Sequence, residues 1–198
     1  MNGLRMLPQS IVGMKNGQWQ TNLGRRVHGK RIGIYGYGRI GKMVANYSAA
    51  FGAKAIIWGS KSSRDNAIND GYQAAHSRQE FFSTCDIISL HLRVADTTKR
   101  VIRFDDLKLM KENALFVNTA RAELIEKGAI EKCIKDGHPQ FFALDVFENE
   151  PIFDTHHPYL QQANIICTPH IGYVEKESYE LYFGIAFQNL QDWINENK

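Results

Sequence analysis

Three polar residues in the second half of the chain carry side chains suited to binding anions and moving protons. Arg121, Glu150 and His170 each follow a short apolar run that reads as a strand, and open α/β sheets place ligand contacts at the carboxyl ends of their strands. The planar guanidinium of arginine matches a carboxylate, and histidine exchanges protons near neutral pH. Taken singly, they are more simply explained as a surface arginine, an acidic loop residue and a structural histidine.

A glycine-rich run near the N-terminus has the spacing of a phosphate-binding turn. Gly36 permits a tight turn, Gly38 lets the backbone approach a phosphate, and Gly41 lets the following helix pack on its strand. Arg39 and Ile40 stand in the first turn of that helix, where free N–H groups and the helix dipole favour an anion. The glycines alone could mark only a sharp turn, but the strand pattern before them and the helix pattern after them favour a dinucleotide pyrophosphate site.

The residues after the second predicted strand indicate which dinucleotide is bound. An NAD site places an acidic residue roughly 20 residues beyond the glycine turn, where it accepts hydrogen bonds from the ribose 2′-OH. This chain has Gly59 there, followed by Ser60, Lys61 and Arg64. Hydroxyls and two cations suit a 2′-phosphate, which a carboxylate would repel. The sequence therefore predicts NADP(H) in preference to NAD(H); the alternative is that these residues form a solvated surface loop.

Strand and helix patterns alternate from Lys30 onward, as in a parallel sheet built from βαβ units. The predicted strands span residues 32–35, 53–58, 71–75, 86–90, 114–118, 141–145 and 164–167. The clearest predicted helices span residues 39–51, 77–84, 126–136 and 175–195. This order predicts an α/β fold, namely a Rossmann-type doubly wound parallel sheet with helices on both faces.

The chain divides into three predicted parts. Residues 1–29 form an N-terminal arm, 30–174 a dinucleotide-binding domain, and 175–198 a C-terminal helix. The arm mixes apolar residues with turn formers, so we expect it to pack on another surface, as an interface or the remnant of a domain linker. The C-terminal helix carries apolar residues at helical spacing, which predicts an amphipathic helix that packs on a neighbour. These residues are Phe183, Ala186, Phe187, Leu190 and Ile194.

Composition limits the classes of function. The 198 residues suffice for one α/β domain, and a net charge of +3 is too small to indicate a nucleic-acid partner. Cys85, Cys133 and Cys167 are odd in number and widely separated, which favours reduced thiols and gives no metal-binding spacing. The sequence has no apolar run of the ~20 residues needed to cross a bilayer and no signal-peptide pattern. We therefore expect a cytoplasmic protein with no metal and no membrane partner.

Considered together, these residues resemble a known family. Five stretches carry the resemblance, in the same order along the chain: 29–30 with the glycine turn, 86–92, 118–121, 144–151 and 168–172. They resemble the cofactor-binding domain of the D-isomer-specific 2-hydroxyacid dehydrogenases. The resemblance extends from about Leu4 to the final helix, and it implies an NAD(P)-dependent oxidoreductase that interconverts a 2-oxo acid and a D-2-hydroxy acid.

The resemblance also implies roles for the polar residues. Arg121 would hold the carboxylate and carbonyl oxygen of the 2-oxo acid, and His170 would give a proton to that oxygen as hydride arrives from the nicotinamide. Glu150 would pair with His170 and favour its protonated form. Asp145 would contact the nicotinamide carboxamide. His91 and Thr119 also stand in the matched stretches, and we expect them to contact the cofactor.

Some features depart from the family pattern. Arg93 stands where many members have proline, and Ala122 where glycine is usual; neither change removes a catalytic group. The missing acid at Gly59 is the departure that matters most. Members usually carry a substrate domain before this region, and here the glycine turn lies close to the N-terminus. We therefore expect a chain without its substrate domain, which binds cofactor but has weak or absent turnover alone.

Two other classes of function stay open. A non-catalytic dinucleotide-sensing protein would use the same fold, although the presence of Arg121, Glu150 and His170 argues against it. A methyltransferase with its own glycine-rich turn fits poorly, because that fold does not require this polar set. The arm, with Trp19 and its apolar residues, predicts a homodimer; alternatively, the arm packs on its own domain. The side chain of the 2-oxo acid cannot be read from these residues.

Overall fold

A seven-stranded parallel sheet forms the centre of the computed structural model, which describes residues 1–197. Its strands are β1 (Arg31–Tyr35), β2 (Lys54–Trp58), β3 (Gln73–Ala74), β4 (Ile87–Leu90), β5 (Leu115–Asn118), β6 (Phe141–Leu144) and β7 (Ile165–Cys167). They lie in the order β3-β2-β1-β4-β5-β6-β7, and every pairing is parallel. The predicted α/β doubly wound sheet is confirmed.

Helices connect the strands and flank the sheet. Within residues 1–197 they are α1 (Leu7–Lys15), α2 (Arg39–Ala50), α3 (Lys61–Asn69), α4 (Arg78–Thr84), α5 (Phe104–Lys108), α6 (Ala129–Asp136) and α7 (Lys176–Glu196). Short 3₁₀ turns follow β5 at Ala122–Leu124 and β7 at Ile171–Tyr173. Lys198, the last residue of the predicted 175–198 segment, lies outside the described residues.

The sheet is covered on both faces by separate apolar clusters. Side chains alternate along a strand, so Ile34 of β1 packs with Ala45 of α2 on one face while Tyr35 packs with Phe81 of α4 on the other. A Cβ built on Gly33 would lie 2.8 Å from the Phe81 ring. This close contact explains why β1 carries a glycine in its centre, and it fixes α4 against the strand that leads into the glycine turn.

The order of the strands reverses between β1 and β4. The chain moves outward from β1 to β2 and β3, then crosses back to place β4 on the other side of β1. In open parallel sheets a crevice forms at such a point, outside the carboxyl ends of the two strands, and ligands bind there. The glycine turn follows β1 and lies at this position.

The observed elements differ from the predicted ones mainly in short helices. The predicted strand 71–75 is reduced to two residues at the sheet edge, and Gly71 before it has a positive φ of 85°. The helix α3 was not predicted from the sequence. This helix begins at Lys61 because Ser60 caps it, its hydroxyl accepting a hydrogen bond from the Ser63 N–H.

The two ends of the chain are only partly packed. Leu4 is buried in the cluster that contains Leu115, so part of the arm packs on its own domain, whereas Trp19 is 75 % exposed and Leu23 93 % exposed. The predicted C-terminal helix is observed as α7, and none of its described side chains is buried within this chain; its packing on a neighbour stays a prediction. Among residues 1–197, no helix combines the length and apolar character required to span a bilayer.

Candidate active site

The glycine turn joins β1 to α2 and is shaped by backbone contacts. Gly36 has a φ of 101° and donates its N–H to the Trp58 carbonyl at the end of β2. A Cβ built on Gly41 would lie 2.1 Å from the Gly36 carbonyl oxygen, which no side chain could tolerate. A Cβ on Gly38 would meet nothing within 4 Å. The turn is therefore tightly packed beneath and open above, which is where a pyrophosphate would lie.

A buried tyrosine inside the turn supports this arrangement. Tyr37 is 5 % exposed, and its hydroxyl donates to an Asp70 carboxylate oxygen that also accepts from Lys42 Nζ at 2.8 Å. Burial and the hydrogen bond to Asp70 raise the pKa of Tyr37. The exposed residues Arg39 and Ile40 begin α2, as predicted, and their N–H groups lie at the anion-binding end of that helix.

The end of β2 lies beside the glycine turn. A Cβ built on Gly59 would lie 3.7 Å from the Gly36 nitrogen. Ser60 follows as the N-cap of α3, so the predicted contact residues stand at a helix start and not in an irregular loop. A helix N-terminus attracts anions, which adds to the effect of the side chains there.

Two cations of α3 lie near this helix start but in different environments. Lys61 is 84 % exposed and pairs with Asp65 at 2.6 Å, one turn further along the helix. Arg64 lies over the Trp58 ring, with its guanidinium carbon 4.6 Å from the ring centroid. This cation–π contact holds the arginine against the end of β2, beside the glycine turn.

His91 lies beneath the glycine turn at the end of β4. A Cβ built on Gly36 would lie 2.7 Å from its carbonyl oxygen, and its Nε2 lies 3.0 Å from the Ser89 hydroxyl. Burial lowers the pKa of His91 to about 4. At neutral pH this histidine is therefore uncharged and acts as part of the packing under the turn.

The loop after β5 carries the predicted carboxylate-binding arginine. The buried Asn118 donates to the Arg121 carbonyl at 2.9 Å and accepts from the Ala120 N–H at 3.0 Å. The Arg121 side chain is exposed, as is that of Thr119. Sequence reasoning missed the role of Asn118 in holding this loop, although its place as the last residue of a strand and the first of a matched stretch was a usable signal.

Glu150 and His170 form a hydrogen-bonded pair across the ends of β6 and β7. His170 Nδ1 lies 2.7 Å from one Glu150 carboxylate oxygen, and the other oxygen accepts from the Phe147 N–H at 2.8 Å. Partial burial raises the pKa of Glu150, but the hydrogen bonds from His170 and Phe147, with the charge of Arg121, outweigh burial and lower it overall. The Tyr173 ring contacts the imidazole edge-on. This arrangement leaves His170 Nε2 as the nitrogen able to exchange a proton with a substrate.

Asp145 follows β6 and is 4 % exposed. Its carboxylate accepts hydrogen bonds from the Thr168 hydroxyl and from the N–H groups of Ile171 and Gly172. The predicted nicotinamide contact therefore also holds the loop that carries His170.

The predicted residues are thus brought to one edge of the sheet, formed by the carboxyl ends of six of its strands. Across the sheet the order is Ser60, Lys61 and Arg64 after β2; Gly36, Gly38, Arg39, Ile40 and Gly41 after β1; His91 after β4; Thr119 and Arg121 after β5; Asp145 and Glu150 after β6; and His170 after β7. At about 4.8 Å per strand this edge measures roughly 24 Å from β2 to β7. The glycine turn lies toward the β2 end of this edge, and the Glu150–His170 pair lies at the β7 end.

A cavity of about 540 Å³ opens beside the Glu150–His170 pair. Its lining includes Glu150, Thr168 and His170, and is otherwise largely apolar, with Phe147, Pro151, Ile152, Phe153, Leu160 and Tyr173 among its walls. Over residues 1–197, no group of three or more His, Cys, Asp or Glu side chains is arranged to hold a metal ion.

Comparison with known proteins identifies the family. Residues 1–172 match the family model described as "D-isomer specific 2-hydroxyacid dehydrogenase, NAD binding domain". The chain belongs to this family. Membership agrees with the predicted family and with a site for a nicotinamide dinucleotide.

Relatives within the family cover most of this chain. A D-3-phosphoglycerate dehydrogenase from Methanocaldococcus jannaschii is 35 % identical over 88 % of the chain and 33 % of its own length. A glyoxylate reductase from Aeropyrum pernix is 36 % identical over 85 % of the chain and 50 % of its own length. The solved structure of a phosphoglycerate oxidoreductase from Vibrio cholerae is 42 % identical, with a TM-score of 0.93 over 98 % of this chain and 63 % of that one. The chain thus spans half or less of these two curated relatives.

Proposed function

We propose that this chain is the cofactor-binding portion of an enzyme that interconverts a 2-oxo acid and a D-2-hydroxy acid. The observation that carries the proposal is the Glu150–His170 pair, 2.7 Å apart at the same sheet edge as the glycine turn. A sensing protein has no need for a histidine held by a carboxylate in this way. The names of the two curated relatives, a glyoxylate reductase and a D-3-phosphoglycerate dehydrogenase, agree with this class of reaction.

In this proposal each polar residue has one task. The nicotinamide dinucleotide, when bound, supplies or receives the hydride. Arg121 binds the substrate carboxylate through its planar guanidinium and polarises the carbonyl. His170 donates a proton from Nε2 to the carbonyl oxygen during reduction and takes it back during oxidation. The ionised Glu150 accepts from Nδ1 and stabilises the positive charge that His170 carries before it donates.

The test of this reaction is the replacement of His170. In the complete enzyme, His170→Ala should lower turnover of 2-oxo acids such as glyoxylate or hydroxypyruvate by ~10² or more, since the proton donor is lost. His28→Ala is the matched control, because His28 lies just before β1 at the opposite edge of the sheet and should leave turnover unchanged. Near-normal turnover of His170→Ala would remove His170 from this role. Dinucleotide binding without any hydride transfer by the unmodified enzyme would favour the sensing protein.

We further propose that the preferred cofactor is NADP(H). Three features support it: the absence of an acid at Gly59, the helix start at Ser60, and the cations Lys61 and Arg64 beside it. A 2′-phosphate placed there would accept from the Ser60 hydroxyl and from both cations. Arg64 is the stronger candidate, because Lys61 is already paired with Asp65.

A titration of the 198-residue chain with NADPH and NADH tests the preference. NADPH should bind at least about tenfold more tightly, as expected for one or two charge-assisted hydrogen bonds. Arg64→Gln should weaken NADPH binding and leave NADH binding unchanged, with Lys61→Gln having a smaller effect. Equal or tighter binding of NADH by the unmodified chain would contradict the proposal.

We also propose a homodimer formed through residues 1–29. The support is the exposure of apolar side chains in this segment, namely Leu7, Ile11, Val12, Met14, Trp19 and Leu23. Contiguous apolar surface of this kind is typical of an interface. Sedimentation of the chain at micromolar concentration should give a dimer, and Trp19→Ser should shift it toward monomer. A monomer at all concentrations would exclude this interface.

The three free cysteines agree with a reducing location, and we propose that the protein is cytoplasmic. Cys85 and Cys133 are buried and Cys167 is partly buried, and burial raises the pKa of each thiol, so none is primed for oxidation. Localisation of the tagged full-length protein would test this directly; recovery in an exported fraction would contradict it.

A further inference from the structure

The loop that carries His170 is fastened to a buried carboxylate, and this points to a role beyond cofactor contact. We propose that Asp145 and Thr168 are positioning residues that hold His170 in its backbone conformation and against Glu150. The functional meaning of this inference rests on the proposed function, in which His170 is the proton donor. The arrangement itself can be tested in the chain without any turnover measurement.

The geometry of the carboxylate carries the argument. One oxygen of Asp145 accepts from the Thr168 hydroxyl and from the Ile171 N–H at 2.9 Å, and the other accepts from the Gly172 N–H at 3.1 Å. All three donors belong to residues 168–172, directly after β7. Asp145 itself directly follows β6 and is 4 % exposed. A carboxylate buried to this degree and pointed at a single loop fixes that loop relative to β6.

The loop needs such support because His170 has an unusual backbone. Its φ of 53° and ψ of 48° lie in the left-handed region, which residues with a side chain rarely adopt. The hydrogen bonds of Asp145 flank this residue, with Thr168 before it and the N–H groups of Ile171 and Gly172 after it. Released from them, the loop would relax toward ordinary backbone angles, and the imidazole would leave Glu150.

The same carboxylate retains room for the cofactor. An ionised carboxylate offers about four acceptor positions, and three are used here. The free position is on the oxygen that accepts from Gly172. Asp145 can therefore contact a nicotinamide amide and hold the histidine loop at the same time. Thr168 separates the two roles experimentally, because its hydroxyl serves the loop and its removal leaves the carboxylate in place.

Amide hydrogen exchange in the 198-residue chain tests the positioning role. In Thr168→Val the amides of Ile171 and Gly172 should exchange about tenfold faster, the effect of losing roughly one hydrogen bond's stabilisation of the loop. Thr168→Ser, which keeps the hydroxyl, should match the unmodified chain. The amide of Asp145, which donates to Asn118 on the neighbouring strand, is the internal control and should stay protected in both variants. Unchanged Ile171 and Gly172 exchange in Thr168→Val would overturn the inference.

The complete enzyme gives the second readout. Thr168→Val should lower kcat about tenfold and leave the affinity for NADPH within about twofold, since only the placement of the proton donor changes. Thr168→Ser should restore kcat. Weaker dinucleotide binding with unchanged kcat would assign Thr168 to the cofactor and overturn the inference. If the unmodified enzyme transfers no hydride, the proposed function fails, while the exchange result still decides whether Asp145 and Thr168 hold the loop.

Discussion

The glycine turn and the proposed catalytic trio occupy the same edge of the sheet but are built by different means. The turn at 36–41 is a continuous piece of backbone, packed so closely that Gly41 has no room for a single methyl group. The trio of Arg121, Glu150 and His170 consists of side chains from three loops, which lie side by side because β5, β6 and β7 are neighbours. The first region is specified by packing and the second by a few hydrogen bonds.

This difference predicts two modes of failure. A change beneath the turn must move backbone atoms, so it damages the fold together with cofactor binding. A change in the trio displaces a side chain that is partly exposed, so it damages catalysis and leaves the fold intact. The hydrogen bonds from Asn118 to the Arg121 carbonyl, and from Phe147 to Glu150, are each worth only about 1 kcal/mol.

The largest effect should come from Gly41→Ala. Its Cβ would lie 2.1 Å from the Gly36 carbonyl, so α2 must shift away from β1, and the free energy of unfolding should fall by about 3 kcal/mol or more. Denaturant unfolding measures this. Gly184→Ala in α7 is the control, because a Cβ there meets nothing within 4 Å and alanine favours a helix. Equal stability of the two variants would contradict the view that packing specifies the turn.

The same difference decides how much could be predicted from the sequence. The turn is local, so six residues and their apolar flanks were enough to predict its position. Glu150 and His170 are 20 residues apart, and nothing in either local pattern says that they pair. Each was singled out as a polar residue after a predicted strand, but their pairing was expected only because the matched stretches resemble a family. Which loops lie side by side depends on the order of the strands in the sheet, and a single sequence does not show that order.

Other features were missed for the same physical reason. The hydrogen bonds of Asp145 to the 168–172 loop join segments more than 20 residues apart. The contact of Tyr37 with Asp70 joins the turn to the end of α3.

The start of α3 at Ser60 was local and could have been predicted, because a serine at that position is a common helix cap. The surroundings of α7 could not be predicted, since none of its described side chains is buried in this chain.

Glu150→Gln should have the next largest effect, and it acts mainly on catalysis. Glutamine keeps the shape of the side chain but removes the charge that stabilises protonated His170, so kcat in the complete enzyme should fall roughly 30-fold, or about 2 kcal/mol. The free energy of unfolding of the variant should fall by only about 1 kcal/mol or less, because glutamine keeps part of the hydrogen bonding. A loss of stability as large as that of Gly41→Ala would contradict the separation of the two regions.

The pH response of Glu150 follows from its lowered pKa. A carboxyl group whose folded pKa is depressed contributes stability above its unfolded pKa and loses it as pH falls through the folded value. The Glu150–His170 pair should therefore persist as pH falls past 4.5, the ordinary value for glutamate. Loss of the pair at or above that pH, measured as the acid limb of 2-oxo acid reduction, in which His170 acts in its protonated form, would contradict the assigned environment.

His91 gives the third effect, and it belongs to the turn. Burial lowers the pKa of His91 to about 4 from 6.5, so below pH 6.5 the unfolded chain gains a proton that the folded chain does not. The free energy of unfolding should therefore fall as pH drops. In His91→Gln this fall should be smaller by about 1.5 kcal/mol between about pH 7.5 and pH 5, with allowance for partial exposure. Chemical denaturation of both proteins at the two pH values measures it. The same loss in both proteins would show that His91 is not buried under the turn.

Gly38→Ala should have the smallest effect and separates the two sides of the turn. A Cβ on Gly38 meets nothing within 4 Å, and its φ of −85° suits alanine, so the free energy of unfolding should not fall. The methyl group would instead project into the open space above the turn, where the pyrophosphate must approach the α2 N-terminus. NADPH binding should weaken about fivefold, close to 1 kcal/mol. If Gly38→Ala lowers stability as Gly41→Ala does, the turn is packed on both sides and no phosphate lies over it. If Gly38→Ala changes neither stability nor NADPH binding, the pyrophosphate lies elsewhere along the edge.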